Sequence, residues 1–229
     1  MRFERYNYVN MKRNIVIFLF FIVQNIFAQE PFGKEIHKFE QADSTSKKIL
    51  RGQIMVYGSS TVRFWKTADR DFARGGLKVV NRGFGGSQMP DALRYFERIV
   101  LPHAPNWLFL YEGDNDLAAN RPIDSVFMDY KAFIQKVQTA LPKTRLAIIS
   151  IKHSPSRMAY FEQQKQLNAL LKDYIKPLPY VYYIDTATPM LNAKGEPDAQ
   201  YFLKDMLHMN ASGYALWTLE IRKFYRRFK

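Results

Sequence analysis

Two short stretches have residue types and spacing that could perform acyl transfer. In "IMVYGSSTVRFW" an apolar run ends abruptly in Gly58-Ser59-Ser60. A serine hydroxyl becomes a good nucleophile when a histidine takes its proton and a carboxylate orients that histidine. Asp205 precedes His208 by three residues, a spacing at which the carboxylate can reach Nδ1 and leave Nε2 for a serine. Taken alone, the serines fit a helix cap equally well. Asp205 and His208, the ends of the second stretch, "DMLH", fit an ordinary pair of surface side chains.

The other three histidines are weaker candidates for a general base. His37 lies in a polar segment near the N-terminus, and His103 lies in a turn before a predicted strand, at the opposite end of the expected sheet. His153 follows a predicted strand but has no carboxylate near it in the sequence. The sequence therefore favours His208.

Acyl transfer also needs hydrogen-bond donors aimed at the developing oxyanion. The backbone N–H of Ser60 is one candidate, and Gly86 in "RGFGGSQ" is a second, because a glycine lets its backbone approach a ligand closely. The side-chain amide of Asn115 in "GDND" is a third. The alternatives are a turn at the start of a helix for the glycines and an Asx turn for "GDND".

Five continuous apolar runs predict the strands that would position these residues: "QIMVY", "LKVVN", "NWLFLYE", "TRLAIISI" and "YVYYID". Runs without alternation are typical of strands buried on both faces of a parallel sheet. Helical patterns separate them over residues 90–100, 122–141 and 157–175, and a last one covers 212–225. The pattern predicts a doubly wound α/β fold, a three-layer α/β/α sandwich with a five-stranded parallel sheet of flavodoxin-like type.

The polar candidates follow predicted strands, where ligands gather in open parallel sheets. The serines follow the first strand, the glycines the second and "GDND" the third, while a long loop leads from the fifth strand to "DMLH". The spacing of the candidate residues does not match the known cofactor-binding motifs. "GFGGSQ" has Gln88 where a dinucleotide fingerprint needs glycine, and no P-loop or metal-ligand spacing occurs. We therefore expect no cofactor and no metal.

The N-terminus predicts export. Lys12 and Arg13 precede an unbroken apolar run over residues 15–23, and Ala28 offers a cleavage site. We assign residues 1–28 to a signal peptide, with an uncleaved membrane anchor as the alternative. Residues 29–50 form a polar lead-in, and residues 51–229 form one domain. The chain has no cysteine, which excludes disulfides and a cysteine nucleophile.

The net charge of +13 raises the question of an anionic partner. The densest basic group lies in the last predicted helix, beside aromatic residues, and comprises Arg222, Lys223, Arg226, Arg227 and Lys229. A solvated helix face explains it better than a nucleic-acid patch. We expect no nucleic-acid partner, although peripheral contact with an anionic surface is compatible with the charge.

Together the four blocks "YGSST", "NRGFGGS", "YEGDND" and "DMLH" resemble the SGNH hydrolases (GDSL-type lipases and esterases), over about residues 50 to 225. The phrases "VNRGFGG", "YEGDND" and "LHMNASGYALW" resemble a bacterial branch of that family. The resemblance implies that Ser60 is the nucleophile, His208 the base and Asp205 its partner. It implies an oxyanion hole of the Ser60 N–H, Gly86 and Asn115.

One departure from the family concerns the serine block. The usual G-D-S is G-S-S here, with Ser59 in the place of the aspartate. The resemblance assigns the general base and its carboxylate partner to "DMLH", so the loss of the aspartate at position 59 should not abolish activity. Alignment favours Ser60 over Ser59 as the nucleophile, and Ser59 is expected to cap the helix that follows, with Gly58 permitting the sharp turn.

The resemblance implies an exported serine esterase that hydrolyses carboxylic esters through an acyl-enzyme. The substrate would be a lysophospholipid or short-chain acyl ester, or an acetylated carbohydrate. Specificity would lie in loops 61–75, 152–160 and 186–204. The alternatives are a carbohydrate- or lipid-binding module on the same fold and an acyltransferase with the same triad.

Overall fold

The structure, a computed structural model, describes residues 30–45, 52–73 and 79–228. The predicted signal peptide lies outside the described residues. All five predicted strands are present: β1 (Ile54–Gly58), β2 (Val79–Gly83), β3 (Trp107–Tyr111), β4 (Arg145–Ile149) and β5 (Val181–Ile184). Every neighbouring pair is parallel, in the order β2-β1-β3-β4-β5. The predicted five-stranded parallel sheet is confirmed.

Helices cover both faces of the sheet, which confirms the three-layer sandwich. They are α1 (Gly33–Thr45), α2 (Ser60–Arg63), α3 (Ala68–Ala73), α4 (Met89–Ile99), α5 (Asp114–Ala118), α6 (Ile123–Ala140), α7 (Phe161–Ile175) and α8 (Ala211–Tyr225). One buried core packs α1, α4, α6 and α7 against the sheet, and a second packs α2, α3 and α8 against it. In the part of the chain described, no helix has the length and apolar character needed to cross a membrane.

Burial along the strands follows from their places in the sheet. Every residue of β1 and β3 is buried, because these strands lie inside the sheet and are covered on both faces. The edge strands β2 and β5 have partly exposed positions. An unbroken apolar run therefore indicates most clearly a strand that is covered by helices on both faces, as β1 and β3 are.

The segment expected to be a polar lead-in forms helix α1, which packs on the domain. Its apolar anchor is small, since Ile36 is its one fully buried side chain. Ion pairs supply further contacts: Arg98 bonds Glu40 and Glu30, and Arg82 bonds Asp43. A helix that packs mainly through charged side chains has no apolar stripe in its sequence. The sequence pattern therefore did not predict helix α1.

The helix predicted over 157–175 begins differently in the structure. Residues Pro155–Tyr160 form a 3₁₀ segment, with non-helical angles at Arg157 (φ −117°, ψ 22°), and α7 starts only at Phe161. The N–H and hydroxyl of Ser156 both donate to the carbonyl of Met206, which ties this segment to the loop that carries His208. Contacts across the molecule therefore set the start of α7.

Gly58 ends β1 in a conformation that only glycine adopts readily. Its φ is +138°, and a Cβ placed there would lie 1.9 Å from the carbonyl oxygen of Tyr111. Ser59 N–H donates to that same oxygen at 3.2 Å. The expected role of Gly58 in the sharp turn is thus explained by close approach of two strand ends as well as by backbone angle.

We expect Gly58→Ala to lower the free energy of unfolding by at least about 3 kcal/mol, because strain at φ and a backbone clash add together. Gly195→Ala is the matched control. Gly195 also has a positive φ, +79°, but a Cβ there would meet nothing within 4 Å. Gly195→Ala should therefore lower the free energy of unfolding only through strain in the backbone angles, by about 1–2 kcal/mol. Urea unfolding of both variants measures this, and equal costs would show that the contact with Tyr111 is unimportant.

Candidate active site

The ends of three adjacent strands bring the predicted blocks side by side. In the register of the sheet, Gly58 pairs with Gly83 on one side and with Tyr111 on the other. The N–H of Phe84 then donates to the carbonyl of Gly58 at 2.9 Å. The serine, glycine and "GDND" blocks therefore leave the same edge of the sheet, as expected for a ligand site in a parallel α/β fold.

The two serines of the first block have different environments. Ser60 is the first residue of α2 and is partly exposed, whereas Ser59 is only 2% exposed. The expectation that Ser59 caps α2 is confirmed for its position but not for its side chain. Ser59 occupies the N-cap position, but its side chain makes no capping hydrogen bond. Its backbone instead holds the turn, since its carbonyl accepts from Val62 and Arg63.

Ser60, His208 and Asp205 form one hydrogen-bonded line. His208 Nδ1 lies 2.6 Å from Asp205 Oδ2, and His208 Nε2 lies 3.0 Å from Ser60 Oγ. A carboxylate only accepts hydrogen bonds, so the ring proton is on Nδ1 and Nε2 is the acceptor. Ser60 Oγ–H therefore donates to Nε2. This is the arrangement in which a histidine can remove the proton of a serine.

The turn that carries the histidine is built by Asp205 itself. Asp205 Oδ1 accepts the N–H groups of Leu207 and His208, both at 3.0 Å, and Met206, the residue after Asp205, has φ +53°. Burial acts to raise the pKa of Asp205, but hydrogen bonds from the His208 ring and from those two N–H groups outweigh it. The pKa of Asp205 falls to about 2, so the carboxylate stays charged in the line.

Phe64 is a contact that sequence reasoning missed. Its ring meets the His208 imidazole edge to face, with 4.8 Å between centroids and an interplanar angle of 89°. Phe64 follows Ser60 by four residues across a single helical turn, a spacing that places the two side chains on one face. That spacing was the available signal. The contact restricts the orientation of the imidazole from the side of the nucleophile.

Two of the oxyanion candidates, Gly86 and Asn115, lie in the segments that follow β2 and β3, the neighbours of β1. Asn115, in the first turn of α5, donates from Nδ2 to the carbonyl of Ser87 at 2.9 Å, next to Gly86 in the glycine block. Gly86 is exposed, has φ +86°, and would give an added Cβ no neighbour within 4 Å. The N–H of Ser60 opens α2 and so has no acceptor within the helix. The structure thus links Asn115 to the glycine block beside the serine.

Beneath the glycine block lies a buried acid that the sequence did not single out. Glu112 is fully buried, and its Oε1 lies 2.6 Å from Ser87 Oγ. Burial raises the pKa of Glu112 well above its ordinary value. Ser87 Oγ also lies 3.0 Å from the carbonyl of Phe84, and one hydroxyl proton cannot serve two acceptors. A proton on Glu112 Oε1 would leave the Ser87 proton for Phe84, but the other oxygen of this acid, Oε2, has no hydrogen-bond partner among the described residues.

The remaining histidines have other partners. His153 Nδ1 bonds Gln164 at 2.9 Å, and burial lowers the pKa of His153. His103 is buried beside Asp43 at the opposite end of the sheet, and His37 is exposed on α1. Among the described residues, no three acidic or histidine side chains are grouped as metal ligands.

The GDSL-like lipase/acylhydrolase family profile matches residues 54–216. This span is more than half of the chain and contains all four blocks, so the chain belongs to that family. No curated protein matches it in sequence.

Solved structures share the fold at low sequence identity. A protein of Streptococcus pneumonia, provisionally named as a platelet activating factor, has a TM-score of 0.75 at 20% identity, covering 91% of this chain and 98% of that one. A GDSL-like lipase of Bacteroides thetaiotaomicron has a TM-score of 0.68 at 20% identity, covering 83% and 98%. An acetylxylan esterase of Geobacillus stearothermophilus has a TM-score of 0.60 at 13% identity, covering 76% and 94%.

Asp116, the last residue of "GDND", provides a test of the electrostatics beneath the site. It is fully buried, accepts the N–H of Met89 at the start of α4, and pairs with Arg121. Burial raises its pKa, and although the bonds from Met89 and Arg121 act against this, the pKa is about 6. The folded protein therefore binds this proton more tightly than the unfolded chain does.

We expect the free energy of unfolding of the parent to fall as pH rises from about 4 to about 6, because Asp116 loses its proton. The fall should be on the order of 2–3 kcal/mol relative to Asp116→Asn. The contribution is fully present below the unfolded pKa and is lost as pH passes the folded pKa. Urea unfolding of both proteins across this range measures the difference. A difference that does not change with pH would mean that Asp116 is already ionised at pH 4.

Proposed function

We propose that this protein is an exported serine esterase that hydrolyses carboxylic esters through an acyl-enzyme on Ser60. The observation that carries the proposal is the line from Ser60 Oγ through the His208 ring to Asp205. Family membership supports it, since lipases and acylhydrolases act on ester bonds.

Acylation begins when Ser60 Oγ attacks the ester carbonyl carbon while its proton passes to His208 Nε2. The ionised Asp205 stabilises the imidazolium that forms. Negative charge develops on the carbonyl oxygen, where the N–H groups of Ser60 and Gly86 and the amide of Asn115 would donate. His208 then returns the proton to the alcohol oxygen, the carbon–oxygen bond breaks, and the alcohol leaves.

Deacylation repeats these steps with water as the nucleophile. His208 Nε2 takes a proton from the water, whose oxygen attacks the acyl carbon. When the tetrahedral intermediate collapses, the bond to Ser60 Oγ breaks and His208 reprotonates the serine. The carboxylic acid is released, and the starting arrangement is restored.

Exposed apolar side chains on segments connected to the histidine bear on the substrate. Four of the large apolar side chains that are exposed in the described residues lie on segments tied to His208: Phe64, Met158, Leu203 and Met206. Such a grouping favours an ester with an apolar acyl or alcohol part, such as a lysophospholipid or a short acyl ester. The resemblance to an acetylxylan esterase supports acetylated carbohydrate as the second candidate.

Export rests on the N-terminal sequence. A basic pair, an apolar run and Ala28 have the order of a cleaved signal peptide, so we place the mature enzyme in the periplasm or outside the cell.

We expect Ser60→Ala to lower kcat for p-nitrophenyl esters by roughly 10⁴-fold or more, because the nucleophile is lost. Ser59→Ala is the matched control and should stay within about tenfold of the parent, since His208 Nε2 bonds Ser60 and the Ser59 side chain is buried. Acetate, butyrate and octanoate esters, assayed on residues 29–229, give the acyl-chain preference. Full activity in Ser60→Ala would overturn the assignment.

Labelling with a fluorophosphonate separates the rival functions. An activated serine reacts, so the parent and Ser59→Ala should be labelled and Ser60→Ala should not. A parent protein that neither reacts nor hydrolyses the esters would support a binding module. Ester products formed from an added alcohol, in preference to acid, would support an acyltransferase.

A further inference from the structure

The amide of Asn115 is held from both of its ends. Nδ2 donates to the carbonyl of Ser87 at 2.9 Å, and Oδ1 accepts from Nη2 of Arg157 at 3.1 Å. A guanidinium only donates and a carbonyl only accepts, so the two partners permit a single orientation of the amide. In that orientation the second hydrogen on Nδ2 is left for an oxyanion.

Arg157 contacts two consecutive residues of α5. While Nη2 bonds Asn115, Nη1 donates to the carbonyl of Asp114 at 2.7 Å. The side chain is only 15% exposed. The planar fork of a guanidinium can make both bonds at once, which the single ammonium of a lysine cannot do at the same geometry.

The carbonyl that anchors Arg157 belongs to a residue that is itself fixed. The buried Asp114 carboxylate bonds Lys152 Nζ at 3.0 Å and Gln164 Nε2 at 3.2 Å. Lys152 is also buried, with its side chain 1% exposed. Removing either member of such a buried pair would leave an uncompensated charge, so the pair holds the first turn of α5 in place.

The segment that carries Arg157 also reaches the other half of the site. Ser156 bonds the carbonyl of Met206 through both its N–H and its hydroxyl, and Met206 lies between Asp205 and His208. Residues 156 and 157 therefore contact the turn of the base and the oxyanion side from one short 3₁₀ segment.

We infer that Arg157 is a positioning residue that orients the Asn115 amide toward the oxyanion. The inference rests on the proposed esterase function and assigns a role to a residue outside the four blocks. An oxyanion donor acts mainly in the transition state, so its misorientation should lower kcat and leave KM nearly unchanged.

A double-mutant cycle tests whether Arg157 acts through Asn115. With p-nitrophenyl acetate we expect Asn115→Ala to lower kcat roughly 100-fold or more and Arg157→Ala roughly 10- to 100-fold. The double variant should match Asn115→Ala within about threefold, because a guanidinium has nothing to orient once the amide is gone. Losses that multiply would overturn the inference.

Chemical rescue provides a second readout that a structural role would not move. Millimolar guanidinium chloride should restore part of kcat in Arg157→Ala and none in Asn115→Ala or the double variant. Arg157→Lys keeps the charge and should remain impaired, and it serves as the working variant if Arg157→Ala does not fold. Full activity in Arg157→Lys or Arg157→Ala would refute the positioning role.

Arg98→Ala is the control for loss of an arginine. Arg98 also bonds oxygen acceptors, Glu40 and Glu30, but lies away from the site on α4, so kcat and KM should not change.

The outcomes distinguish failure of the proposed function from failure of the role of Arg157. If the parent hydrolyses no ester, or Asn115→Ala matches it, the proposed function or its oxyanion hole fails. If those hold and the cycle is multiplicative, only the role of Arg157 fails.

Discussion

The close approach of the end of β1 to the end of β3 is the constraint on which the site depends. A Cβ at position 58 would overlap the Tyr111 carbonyl, so the absence of a side chain there lets the Ser59 N–H reach that oxygen. The register then puts the serine turn beside Gly83 and the glycine block on one side and beside the "GDND" turn on the other. This contact and the register together bring the serine turn next to both blocks of oxyanion candidates.

The two halves of the site are built with different physics. On the oxyanion side, buried polar groups bond one another: Glu112 bonds Ser87 of the glycine block, and Lys152 pairs with Asp114, the residue before Asn115. Low exposure makes such bonds strong and leaves few alternatives. On the other side, Asp205 is half exposed and rests on a short turn. The donors are therefore held rigidly, while the base is reached from solvent.

Several features agree with what the sequence predicted because they are local or periodic. Unbroken apolar runs located all five strands, and two strands inside the sheet, β1 and β3, are buried at every position. Features that depend on distant partners were not predicted. Helix α1 docks through ion pairs with side chains far along the chain, and α7 begins late because Ser156 bonds Met206. Ser59 sits at the N-cap without capping, since its surroundings bury its side chain.

By itself the sequence determined the α/β class, the order of the blocks and a short set of candidate residues, because strand periodicity and polar residues after strands are properties of neighbouring positions. Both serines follow the same strand, so the residues alone left open which serine meets the histidine, and only the family resemblance favoured Ser60. Tertiary structure decided that point, because Ser60 and His208 are 148 residues apart and meet only when the sheet aligns β1 with its neighbours. The same holds for Arg157, whose partners lie 42 and 43 residues away and become visible only in the fold.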